Sequence, residues 1–379
     1  MSATTDQTLP LSGIKVLDFS TLLPGPLASL ILAEAGAEVV KIERPESGDA
    51  MRAYPPLAGT DSVSFALLNR GKRSLALDLK RPGDLERLAP LIAEADVLIE
   101  QFRPGVMERL GLGYGALKER HKRLIYCSIT GRGQDGPKSG EVGHDLTYMA
   151  EAGLLSLAAD PERGPCMPPV LVADIAGGTY PAVINILLAL RRRDASGEGC
   201  HLDIAMTEQV LTFAFAELAE LWATGKAPQG AAGLLTGGSP RYRIYPTADG
   251  RYLAVAALED KFWRRFAELI QLPEPLRDDS RDPKATMDAV GRRILAQPSA
   301  HWRRVFSGED VSSAVVVSLE EAVADQQLAW RRVFEAKLSL SGGSVPALPV
   351  PVVAPLRRAP GTAAAPALAE WAPTWAGWA

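Results

Sequence analysis

The sequence predicts an α/β protein built on a parallel, doubly wound sheet, followed by a smaller α+β unit. Short β-branched or apolar runs alternate with helical periods through the first half of the chain, which is the pattern of strands joined by crossover helices. Basic residues gather in the loops that flank those strands, although the 379-residue chain carries a formal net charge of −4. From Gly225 the texture changes to Gly, Ala and Pro, and a new antiparallel pattern follows around the turn Ala248-Asp249-Gly250.

In order, Ile14 to Phe19 reads as a strand, Leu27 to Ala35 as a helix that Gly36 stops, and Glu38 to Ile42 as a second strand. The intervening turn, Thr-Leu-Leu-Pro-Gly-Pro, lacks the glycine pattern of a dinucleotide fingerprint and gives no support to a nicotinamide or flavin. Strands at Ser74 to Asp78, Val97 to Glu100 and Leu124 to Ser128 alternate with helices at Gly83 to Glu94 and Val106 to Arg120. A helix over 146–158 and a long apolar helix from Asp174 to Arg193 follow. His201 to Met206 is the last strand of this part, and Thr207 to Thr224 is a linking helix. Strands Arg241 to Tyr245 and Tyr252 to Ala256, with helices at Phe262 to Ile270, Thr286 to Ala296 and Ala300 to Phe306, make the smaller unit. The tail from Leu338, rich in Pro and Ala, is expected to wrap over another part of the structure or to be poorly ordered. The boundaries are 1–205 for the large domain, 206–228 for the linker helix, 229–330 for the small domain and 331–379 for the C-terminal segment.

The bulk numbers exclude several classes. An acidic chain lacks the basic footprint of a nucleic-acid or membrane-surface protein. No run of consecutive apolar residues reaches the roughly 18 of a membrane span; Pro181 to Leu190 comes nearest. The first ten residues have neither a basic nor an apolar leader segment, and Cys127, Cys166 and Cys200 are odd in number and far apart. A cytoplasmic protein without a disulfide frame or a metal site is expected. Cys127 reads as core, and His121, His201 and His301 have no ligand-like spacing.

Two stretches draw attention for chemistry. Gly143-His144-Asp145 and Asp174 each stand at the foot of an apolar helical run, where unpaired N–H groups and a partial positive charge alter proton affinity. Gly177 and Gly178 leave the backbone after Asp174 bare enough for a ligand to approach. The residues alone leave two readings open, helix caps or an acid–base pair facing a substrate.

Residues 11–18 (Leu-Ser-Gly-Ile-Lys-Val-Leu-Asp), Pro24-Gly25-Pro26 and the run from Gly36 to Pro45 resemble the opening of the family III CoA-transferases, the CaiB/BaiF superfamily. Asn69-Arg70-Gly71-Lys72-Arg73-Ser74, Asp78-Leu79-Lys80, residues 102–106 (Phe-Arg-Pro-Gly-Val) and Gly197-Glu198-Gly199 continue the resemblance in order. It implies an interlocked homodimer in which each chain has a Rossmann-like large domain and a small domain, with the C-terminal segment returning to the large one. It also implies a coenzyme A site at Arg44, Leu79, Lys80, Arg103 and Arg109, with coenzyme A as part of an acyl-CoA substrate and no redox or metal cofactor.

Within the family, Gly143-His144-Asp145 followed by Leu-Thr-Tyr resembles the α-methylacyl-CoA racemase branch. Asp174 matches the acid shared by both branches, and Glu259 matches a glutamate that supports the histidine from its own or the partner subunit. Racemisation needs a base and an acid on opposite faces of the α-carbon, roles that His144 and Asp174 suit. The N–H groups at the start of the Asp174 helix are candidate donors to the enolate oxygen. The alternative is a CoA-transferase that works through a covalent Asp174 intermediate, and a third reading is a non-catalytic CoA-thioester-binding protein. Arg132, Thr236, Arg241 and Asp260-Lys261 depart from the racemase pattern, and the two arginines suggest a polar or carboxylated acyl chain.

Overall fold

A computed structural model describes residues 9–160, 164–228 and 230–377. Residues 1–8, which bear on the expected lack of a leader, lie outside the described residues. The chain divides into two compact units, one of Met1–Ala152, Pro168–Leu211 and Gln326–Ala379, the other of Gly153–Met167 and Thr212–Asp325.

The first unit is built on six parallel strands: β1 (Lys15–Asp18), β2 (Glu38–Glu43), β3 (Arg73–Ala76), β4 (Val97–Glu100), β5 (Ile125–Thr130) and β6 (Cys200–Ala205). Their order across the sheet is β6-β5-β4-β1-β2-β3. Helices cover both faces, so the central strands are apolar along their whole length; Val97, Leu98 and Ile99 are all fully buried. The order reverses between β1 and β4. In such a sheet ligands bind outside the carboxyl ends of the strands at that reversal.

Helix α1 (Gly25–Glu34) follows β1, with Pro26 in its first turn, where a missing N–H costs nothing. Helices α2 (Val63–Asn69) and α3 (Pro82–Glu94) follow β2 and β3. The helix expected over Val106 to Arg120 is two short ones, Val106–Arg109 and Tyr114–Lys118, because the chain turns at Gly111 with φ +73°. The helix expected over 146–158 is likewise divided. α4 (Asp145–Glu151) ends before Gly153, whose φ of +77° breaks it. Gly153 also begins the strip 153–167 that packs with the second unit, whereas the sequence boundary placed it in the large domain.

The apolar stretch that follows is longer than its consecutive apolar residues suggest. A π-helical segment, Ala173–Thr179, runs directly into α5 (Tyr180–Ser196). The continuous helix of 24 residues, with a mean hydropathy of 1.4 in its most apolar window, is long and apolar enough to cross a membrane by length and composition; half of that window is buried inside the protein. Ala182, Val183, Ile186, Ala189 and Leu190 form its inner stripe. The linking helix expected over Thr207 to Thr224 is three pieces, α6 (Met206–Gln209), a 3₁₀ stretch Val210–Ala214 and a helix Phe215–Thr224.

The second unit contains a three-stranded antiparallel sheet in the order β7 (Tyr242–Pro246), β8 (Tyr252–Ala256), β9 (Ser313–Val315). Helices Asp260–Leu269, Pro283–Leu295 and Ser299–Val305 close its core, where Trp263 and Trp302 stack with Phe266 and Phe306.

The C-terminal tail is structured. Strands β10 (Lys337–Leu340), β11 (Gly343–Pro346) and β12 (Thr362–Ala364) form a small sheet whose Leu338 and Leu340 pack with Ala66 of α2. The last turn reaches the main core: Trp375 is 6% exposed and its indole N–H donates to the Leu91 carbonyl at 3.1 Å. Trp375→Ala should therefore cost about 3–5 kcal/mol in urea denaturation. Trp330→Ala, at a side chain 80% exposed, should stay within about 0.5 kcal/mol of the parent.

Candidate active site

The turn after β1 occupies the sheet's reversal point, and buried charge holds it there. Lys41 Nζ donates to the Ser20 carbonyl at 2.6 Å and pairs with Asp49 at 3.0 Å. Lys72 Nζ reaches the Pro26 carbonyl at 2.8 Å and Asp18 at 3.2 Å. Asp49 in turn accepts the Leu22 N–H at 3.1 Å. From the β4 side, Gln101 accepts the Gly25 N–H at 3.1 Å and donates to the Thr21 carbonyl at 2.6 Å. These bonds give partners to polar groups of the turn that burial would otherwise leave unsatisfied. Burial pushes the Asp18 carboxyl up, but Lys41, Lys72 and the hydroxyls of Ser20 and Ser29 outweigh it and hold it well below the usual range. Burial brings Lys72 down to about 8, against the opposing pull of Asp18.

The anchored turn then seats the segment that carries Asp174. Thr179 Oγ1 donates to the Pro24 carbonyl at 2.9 Å. A Cβ on Gly178 would lie 2.8 Å from Pro24 Cγ, and one on Gly177 would lie 2.7 Å from the Met206 carbonyl. Both glycines are buried, so the openness expected there for a ligand is filled by protein: they admit α6 and the Pro24 turn. Asp174 sits in the first turn of the π-helical segment, an irregular form frequent at functional sites.

Asp145 meets Asp174 directly, as the Asp174 N–H donates to Asp145 Oδ1 at 2.9 Å. Neither acid is a helix cap. His144 is the N-cap residue of α4, Asp145 is its first helical residue, and Asp174 lies inside its helix. The Ile175 N–H goes to the Leu171 carbonyl at 3.3 Å. The N–H groups of Asp174 and Ile175 are therefore committed within the protein and do not offer the enolate donors expected from the sequence. Burial, and secondarily the Asp145 charge, push the Asp174 carboxyl up to about 7.

His144 is exposed, and its backbone is fixed: its N–H donates to Thr147 Oγ1 at 3.0 Å, and that hydroxyl donates to the His144 carbonyl at 2.8 Å. Below it lies Tyr148, the end of the Leu-Thr-Tyr run after Asp145, to which the sequence assigned no role of its own. Its hydroxyl donates to the Gly143 carbonyl at 2.6 Å, and Cβ atoms on Gly131 or Gly143 would fall 2.3 and 2.5 Å from its ring. Those two glycines let the Tyr148 ring pack against the loop and so set where His144 stands.

Arg132 and Arg241 were expected to receive a polar acyl chain. Arg132 lies against Tyr148 and is held by both oxygens of Glu151 at 2.7 and 2.8 Å. Arg241 is held by Asp279 at 2.9 and 2.7 Å and by Asp260 at 2.7 Å. Both guanidiniums are already paired with carboxylates, which removes the basis for a carboxylated acyl chain.

Of the proposed coenzyme A residues, Arg44 follows β2, Leu79 and Lys80 follow β3, and Arg103 and Arg109 follow β4. Because the strands are parallel, all lie beyond one edge of the sheet, the same edge as the turn at 20–26. Arg44, Lys80, Arg103 and Arg109 are exposed and, among the described residues, make no ion pair; Leu79 packs on the main core. Glu100, the last residue of β4, accepts the Phe102 N–H at 2.8 Å and so orients the loop bearing Arg103; burial pushes its carboxyl up to about 7. Glu259 is exposed on the second unit, one residue before the helix Asp260–Leu269.

The sequence profile of CoA-transferase family III matches residues 11–370. The chain belongs to that family. Among family III relatives, α-methylacyl-CoA racemase of Homo sapiens is 36% identical over 326 residues, covering 83% of this chain and 80% of the relative. Acetyl-CoA:oxalate CoA-transferase of Acetobacter aceti is 33% identical over 353 residues, covering 90% and 89%. The crystal structure of a CAIB/BAIF family protein from Brucella suis superposes with a TM-score of 0.82 at 29% identity, over 96% of this chain and 97% of that one. The chain is thus an acyl-CoA enzyme of the family III transferase and racemase class.

The raised Asp174 carboxyl fixes a pH dependence. Between its ordinary 3.8 and about 7, the native state holds a proton that the unfolded chain has released, so Asp174 withdraws stability as pH rises through this window. Asp174→Asn should melt higher than the parent above pH 7 and lose that advantage below about pH 4, as read by thermal melting at both pH values.

Proposed function

We propose that the chain is an acyl-CoA racemase that moves the α-proton of a 2-methylacyl-CoA from one face to the other. The observation that carries this reading is the bond from the Asp174 N–H to Asp145 Oδ1 at 2.9 Å, which ties Asp174 to the helix start that carries His144, while burial and the Asp145 charge push its carboxyl up to about 7, where it can give or take a proton. His144, at the foot of α4, is the second group. For one enantiomer His144 breaks the α-C–H bond and keeps the proton, while the electron pair moves onto the thioester oxygen. Asp174 in its protonated form then delivers its own proton to the opposite face. For the other enantiomer the roles exchange. Glu259 orients His144 and stabilises its charged form, from the same or the partner subunit.

Coenzyme A is seated by Leu79 and by the cations Arg44, Lys80, Arg103 and Arg109, which make no ion pair among the described residues and whose charge suits its phosphates. No redox or metal cofactor enters this chemistry. A homodimer belongs to the same reading, supported by the exposed apolar face of Ile184, Leu187 and Leu188 on α5. A cytoplasmic setting completes it.

The second reading is CoA transfer, favoured by the similarity to acetyl-CoA:oxalate CoA-transferase. Asp174 would then attack the thioester carbonyl, expel the CoA thiolate and form an anhydride, which the thiolate reopens to an aspartyl thioester while the first acid leaves.

Incubation with a 2-methylacyl-CoA in deuterated water separates the two. Racemisation predicts uptake of one deuteron at the α-carbon, slowed at least about 10²-fold in His144→Ala. Absence of exchange, together with CoA transfer to a free acid that Asp174→Ala abolishes, would refute it.

A further inference from the structure

A second group of cations gathers at the opposite edge of the sheet. α1 runs from the carboxyl end of β1 to Glu34, just ahead of β2, and Gly71 just precedes β3, so both lie at the amino-terminal edge. The coenzyme A residues of the proposed function lie at the other edge, about 20 Å away for a six-residue strand such as β2. Between the end of α1 and the C-terminal tail lies a cavity of about 230 Å³ whose walls include Arg70, Lys337, Arg357 and Arg358 but one acid, Glu34.

Two of these cations have structural work. Arg70 pairs with Glu34 at 2.8 Å and donates to the Leu67 and Leu348 carbonyls at 2.9 and 2.8 Å. Arg358 Nε donates to the Ala33 carbonyl at 3.1 Å, at the electronegative end of α1. Arg357 and Lys337 have no such role. Among the described residues neither makes an ion pair, and Arg357 Nε is buried without any hydrogen-bond partner. A buried guanidinium N–H without an acceptor is costly unless something supplies one.

We infer that this cavity binds a small dianionic oxyanion, of the phosphate or dicarboxylate type, held between Arg357 and Lys337. Two unpaired cations match two negative charges, and the planar guanidinium suits an oxyanion with two oxygens to offer. The volume is below the roughly 300–1,000 Å³ of pockets for drug-sized ligands, which suits an anion of a few heavy atoms and excludes a nucleotide. The inference stands apart from the racemase reading, since it uses no residue of that site.

Isothermal titration of the full chain with inorganic phosphate, with succinate and with acetate as the monoanion tests it. At least one dianion should bind ten-fold or more tightly than acetate, phosphate and succinate being told apart by which does so. Arg357→Gln and Lys337→Gln should each weaken that binding at least ten-fold, whereas Arg103→Gln and Asp174→Ala should leave it unchanged. Lys337 is exposed and its replacement spares the core, so it carries the test if Arg357→Gln does not fold. Equal binding of all three anions, survival of the tight binding in Lys337→Gln, or its loss in Arg103→Gln would each overturn the proposal.

Discussion

Beneath the turn that follows β1, the side chains of two lysines and two aspartates, Lys41 with Asp49 and Lys72 with Asp18, lie wholly out of water. Their mutual attraction offsets the cost of burying charge because each lysine also reaches a backbone carbonyl of the turn, Ser20 or Pro26. A pair with this geometry is worth little against an apolar replacement, but removing one partner leaves an uncompensated buried charge, typically at about 3–5 kcal/mol. The lattice therefore acts more as a position fixer than as a source of net stability. What it fixes is the Pro24 carbonyl, and through Thr179 the π-helical segment with Asp174.

The proton chemistry follows from that placement. Asp145 takes the backbone N–H of Asp174, Thr179 anchors the far end of its segment, and among the described residues no ion pair reaches its carboxyl. Burial and a neighbouring carboxylate are the two influences that raise a carboxyl, and both act here. Asp145 serves twice, accepting the Asp174 backbone N–H while repelling its side-chain charge. His144 lies beside Asp145 in sequence, so one helix start, braced by Tyr148 and Thr147, carries both the exposed imidazole and the acid that tunes its proposed partner.

Much of the sheet was legible in the sequence because each parallel strand is a local apolar run with a helix after it. Val97 to Glu100 matches the structure residue for residue, and so does Tyr252 to Ala256 in the antiparallel sheet, where the turn at Ala248-Asp249-Gly250 marked the hairpin. The tail was not legible: β12 is Thr-Ala-Ala, with little preference for a strand, and its pairing with Lys337 to Ser339 depends on partners distant in sequence. Helix α2 was missed because seven residues give too few turns for a period to show. Within the candidate site, His144 and Asp174 were visible as polar residues at the foot of apolar runs. The bond between Asp145 and Asp174 was not, since it joins positions 29 apart. Gly177 and Gly178 were noticed for the wrong reason, because sequence alone cannot tell whether bare backbone faces a ligand or a helix.

This packing pushes the Asp174 carboxyl up to about 7, so that it is partly protonated at neutral pH. Titration of its side-chain carboxyl by carbon-13 chemical shift in the free protein tests it most directly. The expected midpoint is near 7. A midpoint near 4, in the ordinary carboxylate range, would contradict it.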